Sequence, residues 1–253
     1  MSALQTATFL FAAFLGSYVQ SVAGFAMGLM IIACVSSARL VALDTASAVV
    51  SLLSFVNIAL SLRGHYHLVH GRIFRGLALG QTPAIALGVW LLGVLSTHAS
   101  FVLELLLGAF LVAGSGSMMF RPRLRERPSS TAAATAAGFA GGLLGGLFAA
   151  SGPVIGWFAY RQPLPVTEIR ATLLGCFAVS TAVRVVAVGV TGGLTAAVWQ
   201  LAGAALPVVL VGTWLGRHRP PPMAEATLRR IAFLLLTLMG SWILGSAIVR
   251  QFR

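Results

Sequence analysis

Three adjacent residues, Ser151-Gly152-Pro153, are the part of this sequence best suited to binding chemistry. They lie in an uncharged segment, residues 138–160, with the sequence GFAGGLLGGLFAASGPVIGWFAY. Each of its glycines costs a continuous helix about 1 kcal/mol relative to alanine, and proline fits the first turn of a new helix. We therefore predict two helices broken at residues 150–152, the second beginning at Pro153. The start of a helix presents free N–H groups and a positive dipole end, which suit a small anion.

The glycines of this segment also have a simpler interpretation, which is that they let neighbouring helices pack closely. Close packing does not require a break, however, and the Ser-Gly-Pro sequence adds one. Broken helices inside a bilayer persist only where they line a cavity. The break therefore favours a binding site over packing alone.

Arg184 is the second candidate, because it lies well inside the apolar stretch at residues 168–190. An arginine at the centre of a membrane helix costs at least about 2.5–3.5 kcal/mol, so it indicates a functional site. Ser180 and Thr181, one turn earlier, add hydroxyl donors, and together the three residues predict an anion site. In the alternative, the guanidinium extends to the outer membrane surface, roughly 9 Å away at 1.5 Å per residue.

A charged corner and its counterpart are candidates for gating or structural roles. Glu168, Arg170 and Thr172 stand at the entry to the stretch at 168–190, and Asp44 occupies the equivalent place near the start of the second stretch. Acidic residues at helix starts usually complement the helix dipole. The competing interpretation is that they open and close the transport path or carry protons.

Asn57 forms a polar stripe with Ser51 and Ser54 at helical spacing on the second apolar stretch. Such amides and hydroxyls usually hydrogen-bond between membrane helices. A contact with substrate is the alternative interpretation.

The histidines do not predict a metal site. His65, His67 and His70 lie among arginines in a short loop, with no thiol or carboxylate nearby, so we interpret them as solvated loop residues. No cofactor is expected, and no Walker A motif points to ATP. Ser151 would need a base to act as the nucleophile of an intramembrane hydrolase. No histidine or lysine falls inside any apolar stretch, so we expect no enzyme.

The composition indicates a polytopic membrane protein. Of the 253 residues, 58% are hydrophobic and only 9% are charged. A soluble domain of this size carries a much larger fraction of charged residues. All seventeen basic residues are arginines, and the net charge of +12 suits cytoplasmic loops and anionic lipid headgroups. The expected partners are the bilayer and a small anionic substrate, with no nucleic acid. The sequence leaves open whether the chain forms a homo-oligomer.

An internal repeat organises the chain. Eight apolar stretches lie at about 3–38, 45–62, 74–95, 101–120, 131–160, 168–190, 196–216 and 228–249. The linker at 121–130, RPRLRERPSS, separates an N-terminal repeat at 1–120 from a C-terminal repeat at 131–253. Residues of one repeat recur 124 positions later in the other (207 − 83 = 124), as in Pro83/Pro207, Gly88/Gly212, Trp90/Trp214, Gly28/Gly152 and Asp44/Glu168. The first half should therefore carry its own discontinuous element, with Gly24 and Gly28 at the binding site.

The distribution of arginines predicts how these stretches cross the membrane. If all eight cross once, the arginines outside the membrane divide nine against seven. If the first and fifth stretches enter and return on one side, they divide thirteen against three, which the positive-inside rule favours. Each repeat then has a re-entrant hairpin plus three transmembrane helices, and this odd count inverts one repeat relative to the other. We predict an all-α protein with periplasmic termini and a cytoplasmic linker, an architecture that recurs in transporters.

The motifs of both halves resemble those of the sulfite exporter TauE/SafE family. In the second half they are the run at 141–146, Ser151-Gly152-Pro153 and the corner at 168–172. In the first half they are the segments at 24–28 and 44–48, although Met27-Gly28-Leu29 lacks the glycine run and proline often found there. The resemblance covers essentially the whole chain. It implies a secondary transporter of the bacterial inner membrane, an exporter of sulfite or an organosulfonate. An anion channel remains the alternative, and a serine hydrolase a more distant one.

Overall fold

The computed structural model describes residues 3–23, 27–38, 40–119, 124–219 and 225–251. Within these ranges the regular structure is entirely helical, with ten α-helices and one short 3₁₀ turn. The helices are α1 Ala3–Ala23, α2 Met27–Ser37, α3 Leu43–Leu62, α4 Gly71–His98, α5 Ser100–Met119, α6 Thr131–Phe148, α7 Gly152–Ala159, α8 Val166–Val190, α9 Ala196–His218 and α10 Glu225–Gln251. The prediction of an all-α protein is confirmed.

Six helices in the described part of the chain are long and apolar enough to cross a membrane. They are α3, α4, α6, α8, α9 and the segment Phe233–Arg250 of α10, while α2 and the apolar part of α5, Ser100–Gly116, are shorter. Large apolar side chains such as Trp90, Trp214 and Trp242 are exposed on the outside of the helix bundle. Exposed apolar surface on many helices suits contact with lipid, so this is a polytopic membrane protein.

The same order of helices occurs twice. In α1–α5 and again in α6–α10, a long helix and a short helix precede three long ones. The packing also recurs, because α4 lies along α6 in the way that α9 lies along α1. In both pairs, glycines bring the backbones together: a Cβ at Gly142 would lie 2.6 Å from Cα of Gln81, and one at Gly216 would lie 2.8 Å from the carbonyl oxygen of Tyr18.

The second half folds back at its helix break. The backbone N–H of Arg125 donates to the carbonyl of Arg161 at 2.8 Å, so the segment after α7 lies beside the segment before α6. The buried Gln162 strengthens this return, because its amide accepts from the N–H of Ser129 and donates to the Ser129 hydroxyl, each at 2.9 Å. α6 and α7 therefore form a hairpin whose two ends lie together on one side of the bundle.

The break itself differs slightly from the prediction. α6 ends at Phe148 and α7 already begins at Gly152, one residue before the expected start at Pro153. Ala149 caps α6 in the left-handed region, with φ 52°. This conformation costs a non-glycine residue about 1–2 kcal/mol. Pro153 lies in the first turn of α7, where its missing N–H removes no helical hydrogen bond.

Candidate functional site

A small inner cavity lies where the two helix breaks meet. Water can occupy a volume of about 40 Å³ in it. Six of the residues expected at the binding site line it, namely Gly28, Ser151, Gly152, Ser180, Thr181 and Arg184. The repeat predicts that Gly28 lies near Gly152, and both residues line this cavity. Anion binding by these residues stays a prediction. Gly24, also expected there, lies outside the described residues, and Pro153 is buried in α7 but is not among the residues lining the cavity.

The two breaks touch through their backbones. A Cβ added to Gly28, at the start of α2, would overlap the carbonyl oxygen of Ala149, at the end of α6. Any side chain at position 28 would therefore push the start of α2 away from the end of α6. This close approach makes the cavity narrow and lines it with atoms from both halves of the chain.

Arg184 is the charged residue of this cavity. Its side chain is 2% exposed and points into the protein instead of toward the membrane surface. Its Nε donates to the carbonyl of Gly146 at 3.0 Å, and Nη1 donates to the carbonyl of Ser47 at 2.6 Å and to the Ser51 hydroxyl at 2.5 Å. Nη2 has no hydrogen-bond partner within the described ranges. All three partners are neutral oxygens, so no carboxylate is hydrogen-bonded to this buried positive charge in the described part of the chain.

Gly145 lets two hydroxyl side chains approach the same part of the cavity. A Cβ at this glycine would lie 3.2 Å from Cβ of Ser151 and 3.3 Å from the Ser180 hydroxyl oxygen. The residues that line the cavity in the described part of the chain include no histidine and no carboxylate. Ser151 therefore has hydroxyl and backbone neighbours but no general base among them, which suits binding better than nucleophilic attack.

The glycine-rich segment packs against a neighbouring helix and also borders the cavity. Gly138, Gly142 and Gly146 face α4, where a Cβ would collide with its backbone. Gly141 and Gly145 lie toward α7 and the cavity. Spacings of three and four residues place all five glycines on adjacent parts of one broad face of α6, so α4 packs beside the cavity.

Asn57 joins helices and does not line the inner cavity. It is fully buried, donates to the Thr213 hydroxyl at 2.7 Å and accepts from the Gln20 amide at 2.7 Å, so it connects α3 with α1 and α9. Gln20 itself was not singled out from the sequence. Its Oε1 accepts the N–H of Met27 at 3.1 Å, at the start of α2, and the residue lines the cavity. The sequence signal that could have identified Gln20 is a single side-chain amide within the first apolar stretch.

The charged corner and its counterpart lie away from the inner cavity. Asp44 is in the first turn of α3, and its carboxylate accepts the N–H of Thr45 at 2.6 Å. Glu168 is in the first turn of α8. The Thr172 hydroxyl accepts the N–H of His70 at 2.9 Å and so attaches α8 to the loop before α4. Arg170, two residues before Thr172, is partly buried. Gating by these residues remains a prediction.

An all-helical membrane protein with a buried, cationic cavity between two broken helices has the features of a transporter for small anions. The chain matches the family model for the sulfite exporter TauE/SafE over residues 9–243, and it belongs to that family. It is also 38% identical over 233 residues to the "Probable sulfite/organosulfonate exporter TauE" of Cupriavidus necator, which covers 92% of this chain and 91% of that protein. No solved structure matched the chain. The resemblance inferred from the motifs is confirmed, and the protein is a membrane exporter of small anions.

Proposed function

We propose that this chain exports a small sulfur oxyanion, sulfite in particular, through the inner cavity. The observation that supports this most is Arg184, a buried guanidinium with neutral partners. One of its nitrogens, Nη2, has no hydrogen-bond partner among the described residues. A buried charge needs an opposite charge, and none of its hydrogen-bonded neighbours supplies one. The name of the Cupriavidus relative supports sulfite and organosulfonates as the substrate class.

The anion would be held by donors from both sides of the break. Nη2 of Arg184 offers a charge-assisted hydrogen bond, which is about twice as strong as a neutral one. Ser151, Ser180 and Thr181 add hydroxyl donors along the cavity wall. The N–H groups at the start of α7 add the positive end of a helix dipole, and Gly152 allows the backbone to approach the ligand closely.

The volume of the cavity favours a small anion over an extended one. About 40 Å³ of water-accessible volume holds roughly three water molecules, at 10–15 Å³ each. Sulfite has four non-hydrogen atoms, whereas even short aminoalkyl sulfonates add a carbon chain and an amine. Sulfite therefore fits this conformation, while a longer sulfonate requires the turns to separate.

The size limit predicts an order of substrates. In proteoliposomes, efflux of ³⁵S-labelled sulfite should saturate, and unlabelled sulfite should compete at a concentration at least tenfold lower than 2-aminoethanesulfonate. Accelerated exchange with sulfite on the opposite side would identify a carrier, while flux that rises linearly with concentration would identify a channel. Equal competition by both anions would contradict the size limit, and flux equal to that of protein-free liposomes would contradict the proposed function.

The proposal includes an orientation in the bacterial inner membrane. Both termini are placed in the periplasm, the linker at 121–130 in the cytoplasm, and the two repeats in opposite orientations, because the thirteen-to-three division of arginines favours this arrangement. The return of α7 to the start of α6 supports this orientation. A hairpin that enters and leaves on one side makes the next helix, α8, start from that same side.

Reporter fusions test this orientation directly. Alkaline phosphatase, active only in the periplasm, is expected to be active when fused after residue 253 and inactive when fused within the linker. A fluorescent protein that matures only in the cytoplasm should give the opposite pattern. A cytoplasmic C-terminus would contradict the hairpin in at least one half.

A further inference from the structure

Arg184 belongs to the walls of two cavities. The second, which we call the outer vestibule, lies between the starts of α3 and α9 and the ends of α4 and α8. Its volume is about 410 Å³, roughly ten times that of the inner cavity, and its walls include Asp44, Ser47, Thr97, Thr191, Thr195 and Arg184. A wide space with hydroxyl groups and a carboxylate in its wall therefore lies on the other side of the residue that marks the anion site.

The contacts of the guanidinium locate the boundary between the two spaces. Nη1 donates to Ser51, which lines the inner cavity, and to the carbonyl of Ser47, which lines the outer vestibule. Nε donates to Gly146 of α6. The side chain thus extends from α8 to both α3 and α6 at the level where one cavity ends and the other begins.

We propose that Arg184 is the partition between the inner anion site and the outer vestibule, and that the Ser51 hydroxyl holds this partition closed. The proposal rests on the proposed function, because the transported anion is the competitor for the guanidinium. A charged oxyanion is a stronger partner than a neutral hydroxyl. An anion in the inner cavity therefore displaces Ser51 from Nη1 and weakens the bridge between α8 and α3, which then depends on the Ser47 carbonyl alone. The population shifts toward a state in which the two cavities connect.

The outer vestibule suits release better than binding. The carboxylate of Asp44 lines it, and a negative charge repels a departing oxyanion from the vestibule wall. Several of its hydroxyls are already engaged as donors; Thr191, for example, donates to the carbonyls of Ala187 and Val188 at 3.1 Å. The anion is held tightly on one side of Arg184 and weakly on the other.

Thiol labelling tests the partition without any transported anion. In a background with Cys34→Ala and Cys176→Ala, Ser54→Cys places a reporter on the inner cavity and Thr97→Cys places one on the outer vestibule. A membrane-impermeant thiol reagent is added to one side of proteoliposomes, and labelling of Thr97→Cys identifies the molecules whose vestibule faces it. We expect Ser54→Cys to react slowly from that side, and adding Ser51→Ala to speed its reaction at least tenfold.

The matched control is Ser61→Ala, which removes a hydroxyl from the same helix, α3, outside both cavities. It should leave labelling of Ser54→Cys slow, and labelling of Thr97→Cys should be equal in all variants. Equal rates at Ser54→Cys with Ser51→Ala and Ser61→Ala would overturn the proposal, as would no labelling of Thr97→Cys from either side. Because these rates are measured without anion, a chain that carried no sulfite but showed the tenfold difference would contradict the proposed substrate and leave the partition standing.

Discussion

Replacing Arg184 with alanine is expected to abolish anion transport while the protein still inserts and purifies as a monodisperse species. The guanidinium is the positive charge of the inner cavity, and the anion would lose its charged partner in a buried site. Removing one member of a buried ion pair costs about 3–5 kcal/mol. At about 1.4 kcal/mol for each factor of ten, the apparent affinity for sulfite should fall roughly 100- to 4,000-fold. Saturation of ³⁵S-sulfite efflux measures this loss.

Two further variants separate charge from geometry. Arg184→Lys keeps the charge but not the planar set of donors that reaches Gly146, Ser47 and Ser51 together, so it should restore transport only in part. Arg250→Ala removes a surface arginine that pairs with Glu104, and it should transport normally. Undiminished flux with Arg184→Ala would show that the anion binds elsewhere.

The helix break and the recurring order of helices could be predicted from the sequence because neither requires knowledge of contacts between helices. Glycine and proline act on the backbone of their own helix, so the run before Ser151 and the proline after it indicate a break without knowledge of any neighbour. The shift of 124 residues needs only the comparison of one half with the other. The error of one residue in the start of α7 arose because Gly152, and not Pro153, adopts the first helical position.

The direction of the Arg184 side chain could not be predicted in the same way. Its partners Ser47 and Ser51 are 137 and 133 residues away in the sequence, on a helix of the other half. The sequence of α8 alone is equally compatible with an Arg184 side chain that points into the protein and with one that extends to the membrane surface. Only the packing of α3 and α6 against α8 supplies the oxygens that hold the guanidinium inside.

The polar stripe on α3 shows why similar residues take different roles. Asn57 and Ser51 lie six residues apart on one helix, yet Asn57 faces α1 and α9 while Ser51 faces Arg184. Helical spacing predicts that such residues share a broad face, but not which neighbour each part of that face meets. The role of Gln20 could not be predicted for a related reason. Its amide joins Asn57 of α3 to the start of α2, and the sequence does not show that these two segments lie beside it.

Replacing Gly28 with alanine is expected to reduce transport by at least tenfold in a protein that still folds. The added Cβ meets the carbonyl oxygen of Ala149, a backbone atom that cannot rotate away. Ala149 is itself held in a left-handed conformation, so the turn has little freedom to adjust. The methyl group therefore separates the two breaks and moves the donors of the α6–α7 turn away from those of α8. Overpacking typically costs about 1–3 kcal/mol, which lowers the midpoint of thermal unfolding without preventing folding.

The matched control is Gly203→Ala on α9, where no atom lies within 4 Å of the new Cβ. That variant should transport normally and gain up to about 1 kcal/mol of stability, because alanine favours a helix more than glycine does. The contrast distinguishes the geometry of the site from a general intolerance of larger residues. If Gly28→Ala moves sulfite at the rate of Gly203→Ala, contact between the two breaks is not needed for binding. A loss of transport at position 28 in a protein that still unfolds cooperatively means instead that both halves of the chain form one anion site.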